Sequence, residues 1–150
     1  MKFEYYILNE NSETQDIKSV IKHFKEILKL CKELEKINAI FGDKIDWEGD
    51  FKRLNCGDFD DLIDGYINRW SIIGDPKRQD SKNGKFVKAG AEGLKVVKQI
   101  KKLMGEIDKI ALGKNKWQGH SWDGSESGTT DFKDFIEMNI EYWEDHLKNL

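Results

Sequence analysis

Apolar residues recur in steps of three and four from Ile17 onward: Val20, Ile21, Phe24, Ile27, Leu28, Cys31, Leu34 and then Phe41. Only a helix with one buried side brings such a set to one face. Read as heptads, Ile17, Phe24 and Cys31 take one seam position and Val20, Ile27, Leu34 and Phe41 the other, with Asn38 interrupting the first series. Gly42 stands where a helix C-cap belongs. The pattern predicts a helix over 13–41, about 43 Å long at ~1.5 Å per residue. Ser12 and Gln15 have capping-box spacing at its start. Upstream, FEYYIL (3–8) has the aromatic and β-branched content of a short strand, and NENSET (9–14) reads as a polar turn.

Three more amphipathic segments follow. Phe59, Leu62, Ile63, Tyr66, Ile67 and Trp70 line one side of a helix over about 58–72, with Asp58, Asp60 and Asp61 in the first turn, where the helix dipole favours negative charge. Ala91, Leu94, Val97, Ile100, Met104, Ile107 and Ala111 mark a helix over about 87–112, ended by Gly113. Gly90 and Gly93 weaken its start by ~1 kcal/mol each unless close packing uses their missing side chains. Phe132, Phe135, Ile136, Trp143 and Leu147 face inward from a helix over about 131–148. Residues 42–57 read as irregular. Residues 74–85, with Pro76 and an Asn83-Gly84 pair, read as an exposed loop or a loose hairpin between Ile72–Ile73 and Phe86–Val87. The expected architecture is one mainly α domain spanning 1–150, a bundle of about four helices, with a short N-terminal strand or small hairpin left open.

A net charge of −3 hides a segregated layout. Residues 43–64 hold eight acids (Asp43, Asp46, Glu48, Asp50, Asp58, Asp60, Asp61, Asp64) against three bases, net −5. Residues 71–116 hold twelve bases against five acids, net +7, and residues 117–150 two against eight, net −6. Two readings compete. Either the basic third helix lies beside the acidic second and fourth and the charges cancel within the fold, or 43–64 is a negative surface that docks a basic partner. In the second reading Trp47 is the apolar anchor among the carboxylates. Lys88, Lys95, Lys98, Lys101, Lys102 and Lys109 raise a third possibility, contact with nucleic acid or an anionic membrane. Against it stand the pI of 5.7 and the scarcity of arginine, the preferred base reader, present only at 53, 69 and 78.

Candidate chemistry is sparse. Gly119-His120-Ser121-Trp122-Asp123 resembles the nucleophile elbow of the α/β-hydrolases, but Asp123 replaces the second glycine and no buried strand precedes it. Asp123, Ser125, Ser127, Gly128, Asp131 and Asp134 resemble the positions of an EF-hand calcium loop, with Asp in place of the last Glu, Thr130 in place of an aliphatic residue, and no entering helix. His23, His120 and His146 are dispersed and lack zinc-ligand spacing. Trp70 and Trp143 belong to apolar stripes; Trp47, Trp117 and Trp122 fall in predicted loops. Cys31 and Cys56 make no disulfide framework, no apolar run approaches the ~18 residues of a membrane helix, and the first residues lack the form of a secretory signal, so a reducing cytoplasm is expected. Together these features favour a non-catalytic binding protein without cofactor or metal. Its partner would be a basic protein such as a toxin or nuclease, in the manner of an immunity protein or a phage blocker of defence. A small enzyme or ligand binder built on the 113–130 loop is the alternative, and a nucleic-acid module on the 87–112 helix the third.

Overall fold

The computed structural model describes residues 2–77, 84–111 and 122–150. The chain is a mainly α bundle built from α1 (Lys2–Asn38), α2 (Trp47–Arg53), α3 (Phe59–Ile73), α4 (Gly84–Ala111), α5 (Gly124–Ser127) and α6 (Phe132–Lys148), with a 3₁₀ turn at Ala39–Phe41. Among the described residues there is no strand.

Two expectations are corrected at once. The segment 3–8 is helical rather than extended, and the polar 9–14 does not interrupt it: α1 runs without a break through Ser12 and Gln15. Extending a formed helix costs far less than nucleating one, and 9–14 contains neither proline nor glycine to stop it. The hairpin is absent too, because Ile72 and Ile73 complete the last turn of α3 and Phe86 and Val87 lie in α4.

At its C-terminal end α1 stops as expected. Gly42 adopts φ +71° and returns its N–H to the Ala39 carbonyl at 3.0 Å. Such a left-handed residue is cheap only for glycine. Asn38, which interrupts the seam, is 1% exposed and donates its side-chain N–H to the Asp43 carbonyl at 3.1 Å, so a polar residue on the apolar face fastens the turn that follows.

The helices close a ring: α1 packs on α4, α4 on α3, α3 on α2, α2 on α6, and α6 back on α1. The stripe of α1 from Ile17 to Leu34 is buried, with Leu30 on it and Leu28 at its edge. At roughly 1.5–3 kcal/mol per fully buried large apolar side chain, this stripe is a major source of the bundle's stability. Phe59 sits at the aromatic centre, its ring centroid 5.1 Å from Phe51, 5.4 Å from Phe132 and 4.7 Å from Phe135. Offset and tilted contacts at these separations suit the ring quadrupoles.

The small residues of α4 have a definite use. A Cβ on Gly90 would collide with the backbone of Gly74, and one on Gly93 with the indole of Trp70. Ala91, placed on the stripe from sequence, is exposed; Ala89, Gly90 and Gly93 take the buried side there.

Candidate docking surface

Residues 43–64 are not one irregular loop. Asp46, in extended backbone, accepts from the Gly49 N–H at 2.8 Å and caps α2, a seven-residue helix missing from the sequence reading. Aspartate is a favoured N-cap residue, but seven residues are too few for an apolar period to mark the helix that follows. Asp58 does the same for α3, accepting from the Asp61 N–H at 2.8 Å.

Trp47 lies in α2 rather than in a loop and is 4% exposed. Its ring packs edge-on against Tyr66 and tilted against Phe132, and its Nε1–H donates to Glu35 Oε2 at 3.2 Å. It is an anchor of the core and offers no free face to a partner. Asp50 is 7% exposed and sits between Tyr66, whose hydroxyl donates to Oδ2 at 2.8 Å, and Arg53, whose Nη2 lies 2.6 Å from Oδ1.

The remaining carboxylates divide. Asp60 and Asp64 both lie 3.1 Å from the Lys101 ammonium on α4. Glu48 pairs with Lys52 at 2.9 Å along one side of α2. Asp61 is exposed and accepts from the Gly57 N–H at 3.1 Å, and Asp43 is exposed and accepts from the Lys44 N–H. Three of the nine predicted positions, Asp43, Asp46 and Asp50, line one open polar groove of about 460 Å³, together with Lys44, Arg53 and Arg69. The others are spread over α2 and α3, so no single patch collects all nine.

Charge cancellation is thus partial. Partial burial works against the Lys101 ammonium, but its bonds to Asp60 and Asp64 prevail and raise its pKa. This joins the basic α4 to the acidic start of α3. The acidic α6 is not beside α4; it packs on α1, where Lys25 approaches Glu144 at 3.7 Å and Glu35 holds Lys133 at 3.1 Å.

Nor do the other motifs assemble a reactive centre among the described residues. Gly113, Trp117, His120 and Ser121 lie outside them. Residues 124–127 form α5, Gly128 turns the chain at φ +82°, and Asp131 caps α6 by accepting from the Asp134 N–H. That is a helix–turn–cap arrangement. Trp122 is 2% exposed, donates to Asp108 at 2.8 Å, and packs on Phe24 and Phe135. The His146 ring stacks on Tyr142. Cys31 is a buried free thiol whose pKa is pushed far up, first by burial and then by Glu35; Cys56 is also free, and raised, first by burial and then by Asp61. Neither is activated as a nucleophile. No described helix is long and apolar enough to cross a membrane. In comparisons with known proteins, the chain matches no family model, no curated protein and no solved structure.

Proposed function

We propose that this protein is a non-catalytic binding module whose acidic surface docks a basic protein. In its sharper form it is an inhibitor acting in the reducing cytoplasm, of the kind that neutralises a toxin or blocks a nuclease. The observation that carries the reading is the pair of exposed carboxylates, Asp43 and Asp46, at an open polar groove whose lining balances Asp43, Asp46 and Asp50 against Lys44, Arg53 and Arg69, so that the acidic excess comes from carboxylates outside that lining. Glu48, half-exposed at the start of α2, adds a further negative charge from the same segment. A rim of this kind steers encounter and selects partner charge more than it adds affinity. Buried Trp47 anchors the same helix in the core.

The test exchanges charge at two exposed carboxylates whose side-chain contacts are local, Asp43 with the Lys44 N–H and Glu48 with Lys52. Asp43→Lys with Glu48→Lys leaves the caps, the Lys101 bridge and the Asp50 pair intact. Tagged wild-type protein should retain a basic protein from host extract, and purified components should associate more slowly with the double variant, with the difference shrinking as salt rises past the ~10 Å screening length of about 0.1 M. Equal association rates for variant and wild type would overturn the reading.

A further inference from the structure

We infer that the solvent face of α4 is a contact surface for the phosphate backbone of nucleic acid. The observation is a register. Lys88, Lys95, Lys102 and Lys109 recur every seven residues, and seven residues fall within ~20° of two full helical turns, so the four stand on one side of the helix over about 32 Å. Lys98 lies beside them, and all five are exposed. The opposite side carries Gly93, Val97, Ile100, Met104 and Ile107, all buried.

The stripe is largely unneutralised. Lys101, the one lysine turned toward α3, is taken by Asp60 and Asp64. Glu92 and Glu106 are the acids on the lysine side, and five lysines outweigh them. Lys109 reaches Glu106 at 3.6 Å, and no carboxylate of the described residues lies within ion-pair distance of Lys88, Lys95, Lys98 or Lys102. A row of exposed ammonium groups in this register can meet the phosphates of a linear polyanion along its whole length. The exposed uncharged positions among the lysines are Ala91, Gln99 and Gly105, and the neighbouring Leu94, Val96 and Leu103 are half-buried against the core, so the face lacks the exposed Leu, Phe or Trp that a helix lying on a membrane buries, which favours phosphate chains over lipid.

Neither the scarcity of arginine nor the pI of 5.7 bears on this face. Scarce arginine weighs against reading of bases, whereas a lysine bound to a phosphate acts as a point charge, a contact that carries no sequence information. The overall negative charge is set largely by 43–64 and α6, and α6 is separated from α4 by α1 on one side of the ring and by α3 and α2 on the other. The inference is independent of the docking role of the acidic groove, because the two faces share no residue.

The experiment titrates the protein into a short labelled duplex DNA and a single-stranded RNA of equal length, followed by fluorescence anisotropy at several salt concentrations. Binding to at least one should be saturable at low salt, with a log–log salt slope of about −3 to −4.5, the value for four or five phosphate contacts. Lys95→Gln with Lys102→Gln should weaken binding at least tenfold and reduce the slope by about 2. Lys52→Gln with Lys148→Gln changes the net charge equally on α2 and α6 and should leave binding within twofold. Thermal melts confirm that both variants fold. Absence of saturable binding to both probes would overturn the inference. So would equal weakening by the two double variants, or binding to phosphatidylserine vesicles without binding to either nucleic acid.

Discussion

The Tyr66 hydroxyl donates to Asp50 Oδ2 at 2.8 Å in a buried position, and this bond joins α3 to α2. Burial first, and the bond to Asp50 next, push the phenol pKa far above its usual value of 10. Tyr66→Phe keeps the ring and strands the carboxylate oxygen, so it should cost about 1–3 kcal/mol near neutral pH, read from urea unfolding.

The same bond has a pH signature. A raised folded pKa means the stabilisation is complete below the unfolded phenol value of ~10 and declines as pH rises past it. Wild type should therefore lose up to about 1.4 kcal/mol per pH unit above 10 through this residue, while Tyr66→Phe does not. The stability gap between them should narrow between pH 9 and 11. A gap that stays constant would show that Tyr66 ionises equally in both states. Lys101, also raised, adds a loss of the same sign to both proteins.

Glycines within α4 should respond in opposite directions. Gly90→Ala drives a methyl into the Gly74 backbone, which cannot step aside as a flexible side chain would, so the variant should be destabilised despite the better helix propensity of alanine. Gly105 is exposed and a Cβ there meets nothing within 4 Å, so Gly105→Ala should raise stability by up to ~1 kcal/mol. Thermal melts of the two variants compare the effects directly. A destabilised Gly105→Ala would mean that the outer face of α4 is covered.

Much of the fold was legible because long helices write their buried face many times over. Phe59 to Trp70 and Phe132 to Trp143 each repeat the spacing often enough that no single residue decides it. Two elements escaped for physical reasons. Helix α2 is only seven residues with one glycine inside it, too short for a period to emerge, and it is held by the Asp46 cap and by Trp47 packing on distant Tyr66 and Phe132. The start of α1 has strand-forming residues whose local preference yields to propagation from the helix downstream. The candidate surface was legible in charge but not in geometry. Sequence counts carboxylates; it does not say that Asp46 and Asp58 are caps, that Asp50 is buried, or that Asp60 and Asp64 share a lysine.

Trp143 is 1% exposed on the side of α6 that faces the core, where Tyr142 and His146 meet its ring edge-on. Its truncation to alanine should cost about 3–5 kcal/mol, the range for a buried aromatic. A denaturation shift below ~1 kcal/mol would mean α6 is not seated as described. Adding millimolar calcium to wild type, by contrast, should leave the melting temperature unchanged, since Asp131 is engaged as a helix cap and a ligand stabilises only the state that binds it. A rise reversed by chelation would reopen the 123–134 segment as a metal loop.

The tie among α1, α2 and α6 offers the sharpest dissection. Glu35 accepts from Trp47 Nε1 at 3.2 Å and from the Lys133 ammonium at 3.1 and 3.3 Å, and the side chains of Lys133 and Glu35 are 25% and 33% exposed. Partial exposure lets water screen the ion pair, so its direct attraction is modest. Removing one partner is another matter. Glu35→Ala leaves a largely covered ammonium and a covered indole N–H without their acceptor and should cost about 1–3 kcal/mol. Lys133→Met removes the charge, keeps an apolar stem of similar length against the core, and should cost less. Combining the two should cost less than the sum, because the second substitution removes the very charge the first left unpaired. A four-protein unfolding cycle measures the coupling. Strict additivity would mean that Lys133 turns to solvent once Glu35 is gone, and that α6 is held to α1 by its apolar residues alone.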